Sequence, residues 1–527
     1  MSRSAAPAVA GTSTAQWVTG VLVLTVGTLL PLLDLGVLNV ALPVIQQQFG
    51  VSVDAAGWVV TASLLALAFV VPAAPWLSDR FGLVRLYVAA LVGFAVCSVL
   101  CAAAWDLGSL IAFRVLQAVP AGLLPVVTLS ILYKIVPASR IGAAMGIFGL
   151  GLVVAPAAGP TVGGFLLLHA EWRWAFYLCV GLSVVTAIAA RLGLPTLPRA
   201  HARSFDWWGY TTISYGLFAV LLAASNGQDW GWASYPTLAL FATGLLSLAF
   251  FAVIENEVRA PLLDLRTLTR FPYIAAVSTV AAVSLGLFAS TLYLPPFVQL
   301  GHGLSALDTG VMLLPQAVAM AVVVPLSGIV ADRFGPRWPA IVGLVVAAYG
   351  TYLLSGLSID MTKADVIAWT VVRGIGVGLA VMPVVTAGLN SLPYQFIGFG
   401  SALLAIVQRV SCALCLAVLV SGRHVAPPTA PALAPDMAQD ELRRLTEQET
   451  GLAGLWWRLL LHVTASTYGD VFLVAAVLTS VAVLLVVRLK KSRPASMRVI
   501  ARIPKTVFVP ERVDQESNSP SSRARLN

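Results

Sequence analysis

From Trp17 to Arg488 the sequence is a succession of apolar runs, and many reach the roughly 20 residues a helix needs to cross a bilayer. The runs are continuous rather than alternating, which excludes a membrane β-barrel. With 59% hydrophobic and only 10% charged residues, a soluble domain of this size is excluded too. The class is an all-α, multi-pass membrane protein. The runs predict fourteen spans, over residues 17–42, 56–77, 84–104, 107–132, 141–168, 174–195, 207–225, 234–255, 272–299, 309–331, 338–356, 366–388, 397–421 and 469–488.

The net charge of +9 follows topology and calls for no nucleic-acid partner. With the N-terminus placed inside, 23 of the 32 Lys and Arg fall in cytoplasmic segments and six in outside segments. That asymmetry is the positive-inside pattern, and it predicts that both termini are cytoplasmic. The polar start "MSRSAAPAVAGTSTAQ" lacks the pattern of a cleaved signal peptide, so the first span is expected to stay. All five cysteines lie in apolar runs, and the Cys412/Cys415 pair reads as small packing residues. The histidines fall at loops or span ends without metal-ligand spacing, so neither a metal nor another cofactor is expected.

The two halves of the chain repeat. "LSDRFGLVR" at 77–85 echoes "VADRFGPR" at 330–337, and the same offset relates Pro43 to Pro296, Gln46 to Gln299 and Gly50 to Gly303. "LLPVVT" at 123–128 returns as "VMPVVT" at 381–386, with Arg114 and Arg373 preceding them at similar distances. A parallel repeat of six spans, with two spans inserted, accounts for fourteen. It divides the chain into an N-terminal six-helix bundle (1–196), a linker with two accessory transmembrane helices (197–270), a C-terminal six-helix bundle (271–490) and a basic cytoplasmic tail (491–527). Residues 423–468 form a long periplasmic loop whose end, with Trp456, Trp457 and Arg458, has the character of an interfacial helix. The tail is expected to lie on anionic lipid. Repeats of this kind build transporters whose binding site lies at the midplane between halves.

Asp34 is the one acidic residue deep in a span. A carboxylate there costs about 2.5–3.5 kcal/mol on insertion scales, so its presence points to function. Desolvation raises the pKa of such a group and a nearby cation lowers it, so it can load and release a proton. Arg114 in span four is the candidate partner, either as a static tie between spans one and four or as a pair that opens on protonation. Asp34 maps by the repeat to Leu287, so the second half has no matching acid, while Arg373 and Arg409 add two buried cations. Three cations against one acid favour neutral, monocationic or anionic amphipathic substrates over multiply charged cations. Tyr293, Phe297, Gln316, Arg373, Gln408 and Arg409 are candidates to line a substrate cavity.

Four motifs carry a resemblance to a known family. They are "LDLGVLNVALPVI" (33–45); the paired turns "LSDRFGLVR" and "GIVADRFGPR" (328–337); "RVLQAVPAGLLP" (114–125); and "GLGLVVAPAAGPTVGG" (149–164). The chain resembles the major facilitator superfamily, in its fourteen-span EmrB/QacA-type drug:proton antiporter branch, over roughly residues 17–490. The resemblance implies two six-helix bundles plus two accessory helices, and proton-coupled efflux of small amphipathic molecules or drugs by alternating access. It links Arg114 to proton transfer, which joins the coupling read above for Asp34 and makes Asp34 and Arg114 the proton-coupling pair. It assigns a cytoplasmic gating latch to Asp79, Arg80, Gly82 and Arg85, with Gly328, Asp332, Arg333, Gly335 and Arg337 in the second copy. The first copy departs from the pattern at Pro75, Leu83 and Val84. An antiporter motif is implied at Gly151, Pro156, Gly159, Pro160, Gly163 and Gly164, where Gly151, Ala155, Gly159 and Gly163 also form one small-residue face for a close helix neighbour. The two prolines are expected to bend that helix.

Partners implied are a small amphipathic substrate, protons, membrane lipids and, as a further candidate, a periplasmic adaptor protein. The expected location is a bacterial inner membrane. A dedicated exporter or importer of one metabolite, and a transport-dead membrane sensor, stand as alternatives. An enzyme is not expected, since Asp34 alone cannot act as acid and base in tandem.

Overall fold

The computed structural model describes residues 14–198, 204–258, 261–262, 265, 268, 270–302, 306–358, 361–393, 396–423 and 452–488. Most of the 423–468 segment, the 491–527 tail and Arg199, Arg203, Arg259 and Arg266 lie outside them. Helix is the only regular structure among the described residues. The N-terminal half comprises α1 (Thr14–Phe49), α2 (Val53–Phe81), α3 (Leu83–Ala102), α4 (Leu107–Ile135), α5 (Ile141–His169) and α6 (Arg173–Gly193). Then come α7 (Trp207–Trp230) and α8 (Tyr235–Glu257). The C-terminal half comprises α9 (Phe271–His302), α10 (Ala306–Phe334), α11 (Arg337–Ser355), α12 (Lys363–Ser391), α13 (Ile397–Arg423) and α14 (Leu452–Val487).

Twelve of these helices are long and apolar enough to cross a membrane. The two others are α7, rich in Trp, Tyr and Thr, and α13, counted only over Ile397–Ser411. The helix α14 starts at Leu452, so the stretch with Trp456 and Trp457 runs without a break into the last span.

The helices pack through small residues, as expected where lipid supplies no hydrophobic drive between them. A Cβ on Gly343 of α11 would stand 2.6 Å from the amide of Ala380 on α12, and one on Gly216 of α7 would stand 2.7 Å from Leu248 on α8. Polar ties add direction: the Tyr87 hydroxyl of α3 donates to the Val23 carbonyl of α1 at 3.0 Å, and Thr28 of α1 bonds Thr128 of α4 at 2.9 Å. The α7–α8 pair sits outside the halves, with Phe218 of α7 against Phe69 of α2 at 5.5 Å between ring centroids. Ahead of α7, Phe205 meets Trp76 of α2 at 4.7 Å.

The turns α2–α3, α4–α5 and α10–α11 share one end of the molecule, where Arg80, Arg85, Arg140, Arg333 and Arg337 cluster; it is called the basic end below. Gly82 and Gly335 make the sharp turns there, with φ of 87° and 90°. Each amide closes the turn on the carbonyl four residues back, Ser78 at 3.0 Å and Ala331 at 2.9 Å. A side chain at either position would be strained, which is why both copies of the turn place glycine there.

Candidate functional site

Helix α4 starts with a capping box. The Ser109 amide donates to the Asp106 carboxylate at 2.6 Å, which holds that carboxyl below its usual range and fixes the helix two turns before Arg114. Arg114 and Asp34 are 4% and 5% exposed, and the Arg114 Nη1 forms an ion pair with the Asp34 Oδ2. The same Nη1 donates to the Gln117 Oε1 at 2.7 Å, and the Gln117 amide donates to the Ser98 hydroxyl of α3 at 2.8 Å. The Cys179 thiol of α6 lies 4.0 Å from the Asp34 Oδ1, and the guanidinium stands 6.0 Å from the centre of the Phe176 ring. The Arg114 Nε has no acceptor. The pair is therefore a polar island shared by α1, α3, α4 and α6. Removing one member of such a buried pair strands the other, at a cost of about 3–5 kcal/mol.

Just beyond Asp34, α1 meets the small-residue face of α5. A Cβ on Gly159 would stand 2.7 Å from the Gly36 Cα, and one on Gly163 would stand 3.1 Å from the Val37 Cα. Gly151 abuts Thr25 on the same helix. The α5 backbone is helical throughout Ile141–His169, but the side chains of Pro156 and Pro160 are outside those described. Gly164 faces open space.

A second small-residue face of α5 was not foreseen. Gly142, Gly146 and Gly149 point across the interface between halves, to Gly328, Pro325 and Val324 of α10. A Cβ on Gly146 would stand 2.9 Å from the Pro325 Cα, and Gly142 and Gly328 exclude any side chain. The G-x-x-x-G spacing of 142 and 146 was the available signal.

At this contact the Asp332 carboxylate accepts the Gly142 and Ala143 amides, each at 2.8 Å, at the first turn of α5. It thus satisfies two of the amides that a helix start leaves open, with the dipole in its favour. The Tyr133 hydroxyl of α4 adds a bond to the Thr386 carbonyl of α12 at 3.4 Å. These cross-half ties close the molecule toward the basic end. Of the other turn residues, Arg80, Arg85 and Arg333 are exposed, and Arg337 lies with its guanidinium 5.8 Å from the centre of the Trp338 ring. Asp79 is half-buried within electrostatic reach of Lys134.

The second half holds the remaining candidates. Arg373 is 1% exposed; its Nη1 donates to the Gly286 carbonyl of α9 at 2.7 Å, and its Nε has no acceptor. Phe297 is buried edge-on to Tyr468 of α14, at 6.4 Å between centroids. Gln316 is half-buried against Gly374, and Gln408 is exposed on α13. Arg409 is half-buried and lines a narrow cleft between α2, α7 and α13, with Leu67, Val71, Leu221 and Ile406. The Tyr293 side chain is outside those described. Among the described residues no cluster of His, Cys, Asp and Glu could hold a metal ion.

Known proteins place this architecture. The sequence model of the Major Facilitator Superfamily matches residues 24–415. The chain is 31% identical over 391 residues to the multidrug resistance protein B homolog of Mycobacterium tuberculosis (strain ATCC 25618 / H37Rv), covering 73% of this chain and 72% of that one. It is 29% identical over 402 residues to the tetracenomycin C resistance and export protein of Streptomyces glaucescens, covering 76% and 74%. The solved proton:xylose symporter XylE shares the fold, with a TM-score of 0.63 at 14% identity, covering 93% of this chain and 100% of that one. A non-enzymatic transporter is the class these likenesses share, and the chain belongs to the Major Facilitator Superfamily.

Proposed function

We propose that the chain exports small amphipathic molecules, drugs among them, in exchange for protons across a bacterial inner membrane. The carrying observation is the buried Asp34–Arg114 pair, placed where α1 turns its next residues onto α5. The names of the two relatives, one of multidrug resistance and one of resistance and export, support the direction and the substrate class.

Protonation of Asp34 neutralises the carboxylate and releases Arg114, which retains Gln117 as acceptor. The local energetics of α1 then change. Because Gly36 and Val37 press on Gly159 and Gly163, a shift of α1 must be followed by α5. The first turn of α5 carries the latch to Asp332, so proton binding biases the contact between halves. The basic end is cytoplasmic by the positive-inside rule, which makes the closed arrangement the outward-facing state of an alternating-access cycle.

In this reading α7 and α13 also span the membrane, giving fourteen spans with both termini inside. Helix α7 reaches ~36 Å at 1.5 Å per residue, enough to cross. The candidate partners are those of the sequence: substrate, protons, lipids and a periplasmic adaptor protein.

The test is substrate-induced proton release from the purified protein, followed across a panel of amphipathic compounds with a pH indicator. Release on addition of panel members, absent for sugars, supports the proposal. Tight binding of panel members without proton release contradicts the coupling.

A further inference from the structure

The two halves treat their repeat-related arginines differently. In the N-terminal half Arg114 of α4 meets the Asp34 carboxylate of α1. In the C-terminal half Arg373 of α12 reaches α9 at the corresponding level, but Leu287 stands where the repeat would place the acid. The guanidinium instead takes the carbonyl of Gly286, one residue earlier, at 2.7 Å. Its Nε is buried with no acceptor, and among the described residues no carboxylate pairs with it. The described acids of α9–α14 stand at helix or span ends, as Asp308, Asp332, Asp365 and Asp470. A buried guanidinium with one neutral acceptor is unfavourable unless an anion completes it.

The neighbourhood suits an anion of a particular kind. Gly374, next to Arg373, faces α10; a Cβ there would stand 2.9 Å from the Gln316 Cγ, so the Gln316 side chain lies along the adjoining backbone. The half-buried Gln316 amide makes no hydrogen bond among the described residues. A planar fork of N–H donors whose Nε is still without an acceptor matches a carboxylate, which accepts up to four hydrogen bonds. A spherical inorganic ion would use the charge but not the fork.

We infer that Arg373 anchors the carboxylate of an acidic amphipathic substrate, in the half opposite the Asp34–Arg114 pair. The inference rests on the exporter reading and narrows its substrate class. It also divides the labour between halves: one cation is neutralised by the protein's own acid, the other by the cargo.

The test uses the full chain in nanodiscs and a matched probe pair, an aryl-alkyl carboxylic acid and its primary amide, with binding read by tryptophan fluorescence. Wild type is expected to prefer the acid by ~10-fold or more, the scale of a lost charge-assisted contact. Arg373→Gln is expected to collapse that ratio toward unity, and Arg373→Lys to keep part of it, since it retains the charge without the fork. Leu287→Asp is the second variant, because it leaves Arg373 in place and supplies an internal acid. It too is expected to collapse the ratio, and its folding is followed by thermal unfolding. An acid preference unchanged in both Arg373→Gln and Leu287→Asp overturns the inference. So does a wild type that does not distinguish acid from amide and is stabilised only by added chloride. Binding is read without a gradient, so an acid preference that depends on Arg373 sustains the inference even where no compound releases protons; that combination sinks the export reading alone.

Discussion

Asp332→Asn isolates the contact that closes the basic end. The side chain keeps its size but loses the charge, and with it the fit to two amides at 2.8 Å. Hydrogen bonds to a charged group contribute about 1.5–3 kcal/mol each, and the helix dipole about 0.3–1 kcal/mol. Asp332 is exposed, so screening takes the total to the low end, and the Asn oxygen still accepts one amide. A net loss of about 1–2 kcal/mol remains, which shifts the closed-to-open ratio by a factor of ~5–30. Spin labels at Leu192 and Trp338, exposed positions on opposite halves, report the separation at this end. Double electron–electron resonance is expected to show a short distance in wild type and a substantial longer component in Asp332→Asn. An unchanged distribution would refute the latch and leave closure to the glycine packing of α5 on α10 and the Tyr133–Thr386 bond.

Substitutions at three further positions probe the same frame. Gly159→Leu is expected to abolish transport while the protein still inserts, because even a Cβ stands 2.7 Å from the Gly36 backbone and overpacking costs about 1–3 kcal/mol or more; normal efflux would reduce the α5–α1 contact to incidental packing. Gly335→Ala places a side chain at φ 90°, with strain of about 1–3 kcal/mol, and is expected to lower thermal stability and weaken closure of the basic end, read by melting and by the same spin labels. Arg114→Ala is expected to retain substrate exchange but lose proton-driven pumping, since Asp34 loses the cation it pairs with, while Arg114→Lys keeps the charge without the fork and so keeps weakened pumping; counterflow set against gradient-driven uptake in everted vesicles separates the two, and full pumping by the alanine variant would uncouple the residues.

The helical membrane architecture was legible in the sequence because span length and continuity are set by bilayer thickness alone. The pairing of Asp34 with Arg114 was legible too: a lone deep acid needs a cation, and few are available. The rest of the island was not. Ser98, Gln117 and Cys179 join it through the rotation of α3, α4 and α6, which hydropathy does not encode. The two glycine faces of α5 show the same limit. The spacing of Gly151, Gly159 and Gly163 announced a close neighbour, but only the fold shows that it is α1. The neighbouring face of Gly142, Gly146 and Gly149 went unread, although it is the one that spans the halves. The apolar run at 207–225 announced α7 as well, although its Trp, Tyr and Thr leave it outside the helices apolar enough to cross by composition.

The most direct test of the central claim is Asp34→Asn in proteoliposomes, with substrate accumulation driven by an imposed pH gradient and substrate exchange measured at equal pH. The account predicts that the variant exchanges substrate but does not accumulate it, because an amide cannot carry the proton. Accumulation by Asp34→Asn at the wild-type level, responding to the pH gradient, would contradict it.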